Sequence, residues 1–283
     1  MPRLALAATV LIFIFYGGYA AQTQNSRPLV TAQSPEQAAY ERFRAWLTSQ
    51  SRAGQQAPDL ITKYREYLKS KGFSSADIDT QIQVVQQQGQ RLEIERWNQI
   101  LTSEHPRFNT KPNAFLVEMA KDRKPGAALD VGMGQGRNAV WLAEQGWKVT
   151  GFDPAEKAVA LANEHAKERG VHLTTTVNTM ESFDFGEAQW DLIVMSYVGV
   201  RGITDEIQKA LKPGGILVIE AAHRDATKEH SIGGAVVFDT AELPSLFPNL
   251  RVVRYEEPLA IADFGQQRLS RVVRYCAERP ETN

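Results

Sequence analysis

Three closely spaced glycines form the part of the sequence best suited to hold a ligand. Gly132, Gly134 and Gly136 follow directly on the apolar run Ala128-Leu-Asp-Val131. Residues without side chains permit a tight turn and let a ligand approach the backbone closely. Because an amphipathic stretch follows the glycines, the pattern predicts a strand, a ligand-binding loop and a helix, in that order.

Two aspartates near this loop add chemistry to it. Asp130 lies just before the first glycine, at the end of the predicted strand, where a carboxylate can receive an ammonium group directly or through water. Asp153 ends the next apolar run, Val149-Thr-Gly-Phe-Asp153, where a carboxylate can accept hydrogen bonds from both hydroxyls of a ribose. Asp153 is equally able to cap a helix that starts at Pro154, and the two roles are compatible.

The spacing of the glycines separates two kinds of nucleotide ligand. The fingerprint of a dinucleotide site, G-x-G-x-x-G, would place its third glycine at position 137, which is Arg137, whereas the glycine stands at Gly136. The sequence therefore favours a mononucleoside with an amino-acid tail over a ligand with a pyrophosphate.

The residues around the loop resemble a known family. Leu129-Asp-Val-Gly-Met-Gly-Gln-Gly-Arg-Asn138 and Val149-Thr-Gly-Phe-Asp-Pro154 resemble class I S-adenosylmethionine-dependent methyltransferases, in particular the small-molecule branch with the tellurite-resistance-type enzymes. Gln189-Trp-Asp191-Leu-Ile-Val-Met resembles the family's fourth strand, and Leu211-Lys-Pro-Gly-Gly215-Ile-Leu-Val-Ile resembles the turn before its fifth. The resemblance covers roughly residues 109–280.

The resemblance implies S-adenosylmethionine as the cofactor and assigns a role to each matching residue. Gly132, Gly134 and Gly136 would lie against its methionine moiety, with Asp130 near the amine and Asp153 on the ribose. Around the adenine, Met180 would pack on the ring and Glu181 would accept from the exocyclic amine. Asn178 stands where the family often has an aspartate.

The methyl acceptor should bind where strands four and five end. Ser196 and Tyr197 follow strand four, while Glu220, His223 and Arg224 end or follow strand five. We expect Tyr197 and His223 to take part in catalysis, because His223 could act as a base near neutral pH. His223 could equally be a solvated loop histidine, since many methyl transfers need only alignment and desolvation.

The hydrophobic pattern predicts an α/β fold over residues 108–283. Five short apolar segments, at 127–131, 148–152, 173–177, 192–195 and 216–221, have helical stretches between most of them. This order predicts a Rossmann-like, doubly wound and mostly parallel sheet. Two further strands, at 250–255 and 270–277, have no helix between them and predict an antiparallel closing strand.

The preceding part of the chain has a different character. Residues 34–107 predict a small helical region, with a capping serine at Ser34 and a capping box over Ser74-Ser-Ala-Asp77 that opens a helix expected to bend or break at Gly89. Residues 22–33 are polar and predict a linker.

Residues 1–21 carry one arginine, a long apolar stretch and a small-residue exit at Gly18-Tyr-Ala20. This order predicts a signal peptide or, if uncleaved, a membrane anchor over residues 4–21, so the protein would be exported, periplasmic or membrane-anchored. The alternatives are a buried helix, or a start codon placed too early that leaves the protein in the cytoplasm.

The composition narrows the possible functions. Lysine and arginine total 32 against 33 acidic residues, so no general field attracts nucleic acid. The single cysteine, Cys276, lies among apolar residues and is expected to be a buried hydrophobe. The histidines show no metal-ligand spacing, and no G-x-S-x-G motif of a hydrolase is present. The sequence thus predicts methyl transfer to a small molecule; the alternative is a nucleoside-binding module without catalysis, and the oligomeric state stays open.

Overall fold

The computed structural model describes residues 34–49, 57–228, 232, 234–264 and 268–281. The predicted signal peptide or anchor and the predicted linker lie outside these residues. Within the described ranges, no helix combines the length and the apolar character needed to cross a membrane. The described chain forms two compact units, which divide between Glu93 and Ile94.

In the residues that the structure describes, the first unit consists of α1 (Pro35–Ser49), α2 (Ala57–Ser70) and most of α3 (Ser75–Leu101). The Ser34 hydroxyl accepts from the amide of Gln37 at 3.1 Å, as expected for a helix cap. Ser74 accepts from the amide of Asp77 at 3.2 Å and donates to its carboxylate at 2.6 Å. The predicted starts of α1 and α3 are therefore confirmed.

A core of aromatic and aliphatic side chains holds the first unit together, and Gly89 lies against it. Its buried side chains include Tyr40, Phe43, Trp46, Tyr64, Leu68, Ile78, Ile82 and Val85. Helix α3 runs through Gly89 without a break, so the expected break is wrong. A Cβ at this position would lie 3.2 Å from Cε2 of Tyr40, which means that the glycine makes room for the tyrosine ring.

The second unit is the α/β part of the chain. Its helices are α4 (Ala114–Ala120), α5 (Arg137–Glu144), α6 (Glu156–Glu168), α7 (Thr204–Ala210) and α8 (Glu242–Leu246). Its strands are β1 (Ala127–Val131), β2 (Lys148–Asp153), β3 (Leu173–Val177), β4 (Trp190–Ser196), β5 (Leu211–His223), β6 (Val237–Phe238), β7 (Arg251–Glu256), β8 (Leu259–Ile261) and β9 (Leu269–Glu278).

The sheet has the strand order β3-β2-β1-β4-β5-β9-β7. Strands β1 to β5 pair in parallel, whereas β9 runs antiparallel between β5 and β7. The predicted Rossmann-like fold with an antiparallel closing strand is confirmed. Its parallel strands bring their carboxyl ends to one edge, where the loops after β1, β2, β4 and β5 meet.

Strand β5 is longer than its apolar core predicts, because it begins at Leu211 and pairs there with Trp190. A register shift between Trp190 and Leu192 accommodates the Pro-Gly-Gly turn residues inside the strand. Strands β6 and β8 were not predicted, since two or three residues are too few to show a period of two.

The core of the second unit lies between the sheet and its helices. It includes Leu116, Ala128, Leu142, Trp147, Val149, Leu192, Val194, Ile216, Val218 and Cys276. Cys276 is buried, as expected, and burial raises the pKa of its thiol to about 11. The thiol is therefore protonated at neutral pH and packs as a small apolar group.

Candidate active site

The glycine loop turns sharply between β1 and α5. Gly132, Gly134 and Gly136 have φ angles of 64°, 54° and 79°, in the left-handed region that favours glycine. The amide of Met133 donates to the carbonyl of Phe152 at 3.0 Å, which joins the loop to the end of β2. The loop therefore lies at the carboxyl edge of the sheet, as the sequence predicts.

Asp153 fastens this loop to the start of α6. Its Oδ2 accepts from the amide of Gly134 at 2.9 Å, and its Oδ1 accepts from the amide of Ala155 at 2.8 Å. Burial raises the pKa of Asp153 to about 6, although these two hydrogen bonds favour the charged form. Since each carboxylate oxygen can accept more than one hydrogen bond, the structural contacts leave room for ribose hydroxyls.

Asp130, next to the end of β1, is a buried carboxylate with one unpaired oxygen. Its side chain is 1% exposed, and Oδ2 has no hydrogen-bond partner among the described residues. Burial raises the pKa of Asp130 to about 7, against the charge of Arg137 and a hydrogen bond from the backbone of Ala139. A buried oxygen without a partner is costly and indicates a place for a donor group such as an ammonium.

Two apolar side chains close over the glycines. A Cβ at Gly134 would lie 3.3 Å from Cδ2 of Leu101, and a Cβ at Gly132 would lie 2.9 Å from Cγ2 of Val198. Leu101 is held in place by the end of α3, where Asn98 accepts from the amide of Lys157 at 2.8 Å. Together with the positive φ angles, these close contacts disfavour any other residue at the two positions.

The segment after β3 lies beside Asp153. The amide of Asn178 donates to the backbone carbonyl of Asp153 at 3.2 Å, and its side chain accepts from the amide of Thr179 at 2.9 Å. Met180 is buried and Glu181 is exposed. The structure thus joins Asn178, which precedes the predicted adenine residues, to the predicted ribose aspartate.

Tyr197 follows β4 in an unusual backbone conformation. Its φ is 57°, in a region that residues other than glycine rarely adopt and that is often found at functional sites. The hydroxyl donates to Oε1 of Glu220 at 3.3 Å and accepts from the amide of Asp263 at 3.2 Å. Burial, followed by the charges of Glu220 and Asp263, raises the pKa of Tyr197 well above its usual value, so the phenol is protonated at neutral pH.

A buried polar network surrounds Tyr197. The side-chain Nδ2 of Asn113 donates to Glu220 and to Asp263, at 2.8 Å in both cases. Arg274 donates to Oε2 of Glu220 at 2.7 Å, and Arg137 pairs with Asp263 at 2.7 Å. Burial and the charge of Asp263 raise the pKa of Glu220, whereas Arg274 lowers it. Except for Glu220, none of the residues around Tyr197 in this network has a role predicted from the sequence.

His223 lies apart from this network. Side chains alternate along a strand, so Glu220 and His223 on β5 point to opposite faces. The Nε2 atom lies 3.0 Å from the hydroxyl of Thr240, and Nδ1 accepts from the amide of Asp225 at 3.1 Å. His223 is 4% exposed, so it is not a solvated loop residue, and both of its ring nitrogens have protein partners.

These residues fit S-adenosylmethionine, which is a nucleoside with a positively charged amino-acid tail. The glycine loop gives the tail access to the backbone, the free oxygen of Asp130 can take its ammonium group, and Asp153 can take the ribose. Among the described residues, no cluster of His, Cys, Asp and Glu has the arrangement of a metal site.

The fold and these residues are similar to those of class I S-adenosylmethionine-dependent methyltransferase domains. Residues 128–215, from β1 to the start of the apolar part of β5, match the family model described as a methyltransferase domain. S-adenosylmethionine is the cofactor of this class, in agreement with the fit of the residues.

Several curated relatives are similar to the same part of the chain. A probable S-adenosyl-L-methionine-dependent methyltransferase, TehB of Haemophilus influenzae, is 26% identical over 148 residues, which are 50% of this chain and 52% of that protein. A ubiquinone biosynthesis O-methyltransferase of Paramagnetospirillum magneticum is 36% identical over 102 residues, which are 35% and 41% of the two chains. The chain thus spans about half the length of the curated relatives it matches, or less.

Solved structures agree on the fold. The crystal structure of TehB from Haemophilus influenzae has a TM-score of 0.51 at 22% identity and covers 59% of this chain and 62% of that chain. The N-methyltransferase NodS from Bradyrhizobium japonicum, solved with S-adenosyl-L-homocysteine, has a TM-score of 0.52 at 19% identity, with 66% and 98% covered. At these identities the likeness shows the fold alone.

Proposed function

We propose that the protein transfers the methyl group of S-adenosylmethionine to an oxygen, nitrogen or sulfur nucleophile of a small molecule. The observation that carries this proposal is the arrangement of Asp130, the glycine loop and Asp153 at the carboxyl edge of the sheet, with the unpaired oxygen of Asp130 buried beside the loop. The names of the relatives support the reaction class but leave the acceptor open.

When bound, S-adenosylmethionine supplies a methyl group that its sulfonium already activates. The chain must therefore orient the two reactants and exclude water. Leu101 and Val198 lie over the glycine loop, where their apolar side chains would exclude water from the reactants. Orientation in a dry site can by itself lower the barrier by about 7 to 11 kcal/mol.

For the acceptor we propose a place beside Tyr197, at the end of β4. The strained backbone of Tyr197 is stabilised by the network of Asn113, Glu220 and Asp263, which fixes the phenol in one orientation. Because the phenol is protonated, Tyr197 would orient the acceptor through hydrogen bonding and not act as a phenolate base. We propose a supporting role for His223, since both ring nitrogens already have protein partners.

The second candidate is a module that binds the nucleoside but transfers nothing. The observation in its favour is the pairing of Tyr197, Glu220 and Asp263 with one another, which uses their polar atoms inside the protein. The two candidates make different predictions about turnover, while both predict binding of S-adenosylhomocysteine.

The test is release of S-adenosylhomocysteine from S-adenosylmethionine in the presence of a panel of phenols, amines and thiols. We expect release with at least one acceptor class and loss of release in Asp153→Ala. The matched control is Asp122→Ala, which removes an exposed carboxylate outside the proposed site. Binding without release for every acceptor would favour the binding module; unchanged ligand affinity in Asp153→Ala would show that the donor site is assigned wrongly.

A further inference from the structure

The phenol oxygen of Tyr197 has hydrogen bonds of defined direction. Its hydrogen is donated to Oε1 of Glu220, 3.3 Å away, and the backbone amide of Asp263 donates to the same oxygen at 3.2 Å. A phenol oxygen has one hydrogen to donate and lone pairs with which to accept. Because the hydrogen is already used, a ligand that reaches this oxygen has to donate a hydrogen bond to it.

The ends of two neighbouring strands hold Tyr197 and Glu220 together. Ser196 on β4 pairs with Glu220 on β5, and the amide of Tyr197 donates to the carbonyl of Glu220 at 2.7 Å. Tyr197 is thus linked to Glu220 through its backbone as well as its side chain, in the strained conformation with a φ of 57°. Strain of this kind persists where surrounding contacts enforce it, and it is frequent at functional sites.

Glu220 is placed to take a proton from this phenol. Oε1 also accepts from Nδ2 of Asn113 at 2.8 Å, and Oε2 accepts from Nε of Arg274 at 2.7 Å. Burial, followed by the charge of Asp263, raises the pKa of Glu220 more than Arg274 and Asn113 lower it. Glu220 is therefore a stronger base than a carboxylate in water, although it lies in contact with an arginine.

Aromatic rings lie beside the Tyr197 hydroxyl. The ring centroids of Tyr197 and Phe264 are 5.3 Å apart, and those of Phe264 and Phe108 are also 5.3 Å apart. Tyr197 and Phe108 are buried, whereas Phe264 is partly exposed and can still contact a ligand. Phe264 follows Asp263 in the chain, so the residue that donates to Tyr197 also positions this ring. An aromatic ring packs well against such a surface.

We propose that the methyl acceptor is a neutral phenol whose hydroxyl donates to Tyr197, and that Tyr197 passes the proton of this hydroxyl on to Glu220. The inference rests on the proposed function and deepens it, because it names the class of acceptor and the group that takes the proton.

The step is balanced in atoms and charge. The oxygen of the acceptor forms a bond to the methyl carbon, the bond between this carbon and the sulfur breaks, and its electron pair stays on the sulfur. The proton of the acceptor moves to the oxygen of Tyr197 as the proton of Tyr197 moves to Oε1 of Glu220, so Tyr197 is neutral before and after. The products are S-adenosylhomocysteine, a methyl ether and protonated Glu220, which loses its proton to solvent.

The experiment uses phenols that differ in acidity but are all mostly neutral at about pH 6.5, as tyrosine is. They are 4-methylphenol, phenol, 4-chlorophenol and 4-cyanophenol. Release of S-adenosylhomocysteine by the full chain is measured at saturating S-adenosylmethionine. Since Glu220 takes the proton of the neutral phenol, we expect turnover of all four, with kcat values that differ by less than about 10-fold.

Glu220→Gln removes the proton acceptor and keeps the shape of the side chain. The reaction then depends on the small ionised fraction of each phenol, so kcat should fall about 100- to 10,000-fold, most for 4-methylphenol and least for 4-cyanophenol. The KM of the phenols and the affinity for S-adenosylhomocysteine should stay unchanged. Tyr197→Phe keeps the aromatic ring and the charge of Glu220; it should show the same order of losses and replaces Glu220→Gln if that variant does not fold.

The matched control is Glu256→Gln. Glu256 is the other carboxylate that pairs with Arg274, at 3.2 Å, and has no hydrogen bond to Tyr197. If the loss in Glu220→Gln came from a displaced Arg274, Glu256→Gln should show part of it. We expect this control to have an unchanged kcat with every phenol.

The pH dependence of kcat gives a second readout. Only charged Glu220 can take a proton, so kcat for phenol should rise as pH rises through the pKa of Glu220, which lies above the usual value of a glutamate. The titratable groups that face Glu220 are Tyr197, Asp263 and Arg274, of which Tyr197 and Arg274 keep their protons at neutral pH. In Glu220→Gln the rise should disappear, and kcat should increase only at the higher pH at which phenol ionises.

Three results would overturn the inference. Equal losses with all four phenols in Glu220→Gln would show that Glu220 only supports the structure, while the proposed function stands. Turnover of an amine or a thiol but of no phenol would show that the acceptor class is wrong, again without affecting the proposed function. If no acceptor of any class leads to release of S-adenosylhomocysteine, the proposed function and the inference both fail.

Discussion

Asp153 combines two tasks in one carboxylate. It ties the glycine loop to α6 through the amides of Gly134 and Ala155, and we propose that it also accepts from the ribose. Both tasks need the charged form, yet burial raises the pKa of Asp153 to about 6 and that of Asp130 to about 7. The ligand-free site is therefore sensitive to pH near neutrality.

The first prediction concerns this pH dependence. A charged carboxylate accepts from a ribose hydroxyl or an ammonium group more strongly than the protonated acid does, so affinity should rise as pH rises through each pKa. For S-adenosylhomocysteine we expect affinity to rise between pH 5 and 8, through about 6 for Asp153 and about 7 for Asp130. The measurement is titration calorimetry across this pH range.

The control for this prediction is 5′-methylthioadenosine, a nucleoside that lacks the amino-acid tail and so has no ammonium group for Asp130. Its affinity should rise only through about 6, the pKa of Asp153. In Asp130→Asn, the affinities for S-adenosylhomocysteine and 5′-methylthioadenosine should depend on pH in the same way. A flat profile for S-adenosylhomocysteine between pH 5 and 8 would contradict the raised pKa values or the roles of these aspartates.

The residues of the donor loop could be predicted from sequence because they are neighbours along the chain. The network around Tyr197 could not, because Asn113, Glu220 and Asp263 are far apart in sequence and meet only in the folded protein. For Arg137, in contrast, the sequence does contain an indication of a role outside its helix. A positive charge at the first position of a helix is unfavourable for the helix dipole, so an arginine there suggests another task.

At the scale of elements, strand register determines which residues reach the site. Ser196 pairs with Glu220, so the end of β4 and the middle of β5 lie side by side at the carboxyl edge. Strand β5 then continues to His223, which places that histidine beyond the network. The sequence shows that Glu220 and His223 lie near the end of an apolar run. It does not show at which residue the neighbouring strand β4 ends.

The interior of α3 gives the second prediction, at Gly89. Replacement by leucine should lower the free energy of unfolding by about 1 to 3 kcal/mol, because the new side chain overpacks the site of the Tyr40 ring. This loss should exceed the gain in helix propensity, which is at most about 1 kcal/mol. Urea denaturation followed by circular dichroism measures the change.

The neighbouring substitution Gln90→Leu is the matched control, since Gln90 is exposed on the same helix and should change stability by less than about 0.5 kcal/mol. Tyr40→Ala should partly relieve the Gly89→Leu defect in a double-mutant cycle. Equal stability of Gly89→Leu and Gln90→Leu would show that Tyr40 does not restrict this position. The expected break at Gly89 was wrong for the same reason: glycine there serves packing between helices, which a local pattern does not show.

At the scale of the molecule, α3 takes part in both compact units. Its residues up to Glu93 belong to the helical unit, and those from Ile94 belong to the α/β unit. In the α/β unit, Leu101 and Phe108 pack on Ala155 and Ala158, at the start of α6. The end of this helix therefore lies at the proposed donor site, although its sequence resembles only a continuation of the helical region.

The third prediction follows from this arrangement and compares two truncated chains, residues 91–283 and residues 109–283. The longer one keeps Asn98, Leu101 and Phe108, and we expect it to bind S-adenosylhomocysteine as the full chain does. The shorter one loses the burial of Leu101 and Phe108, which together contribute about 3 to 6 kcal/mol, and it exposes Gly134. For the shorter chain we therefore expect a lower melting temperature and weaker binding, measured by thermal unfolding and calorimetry.

If both chains have the same melting temperature and the same affinity, the end of α3 is no part of the proposed donor site. If the longer chain fails to bind, the proposed donor site needs residues before 91.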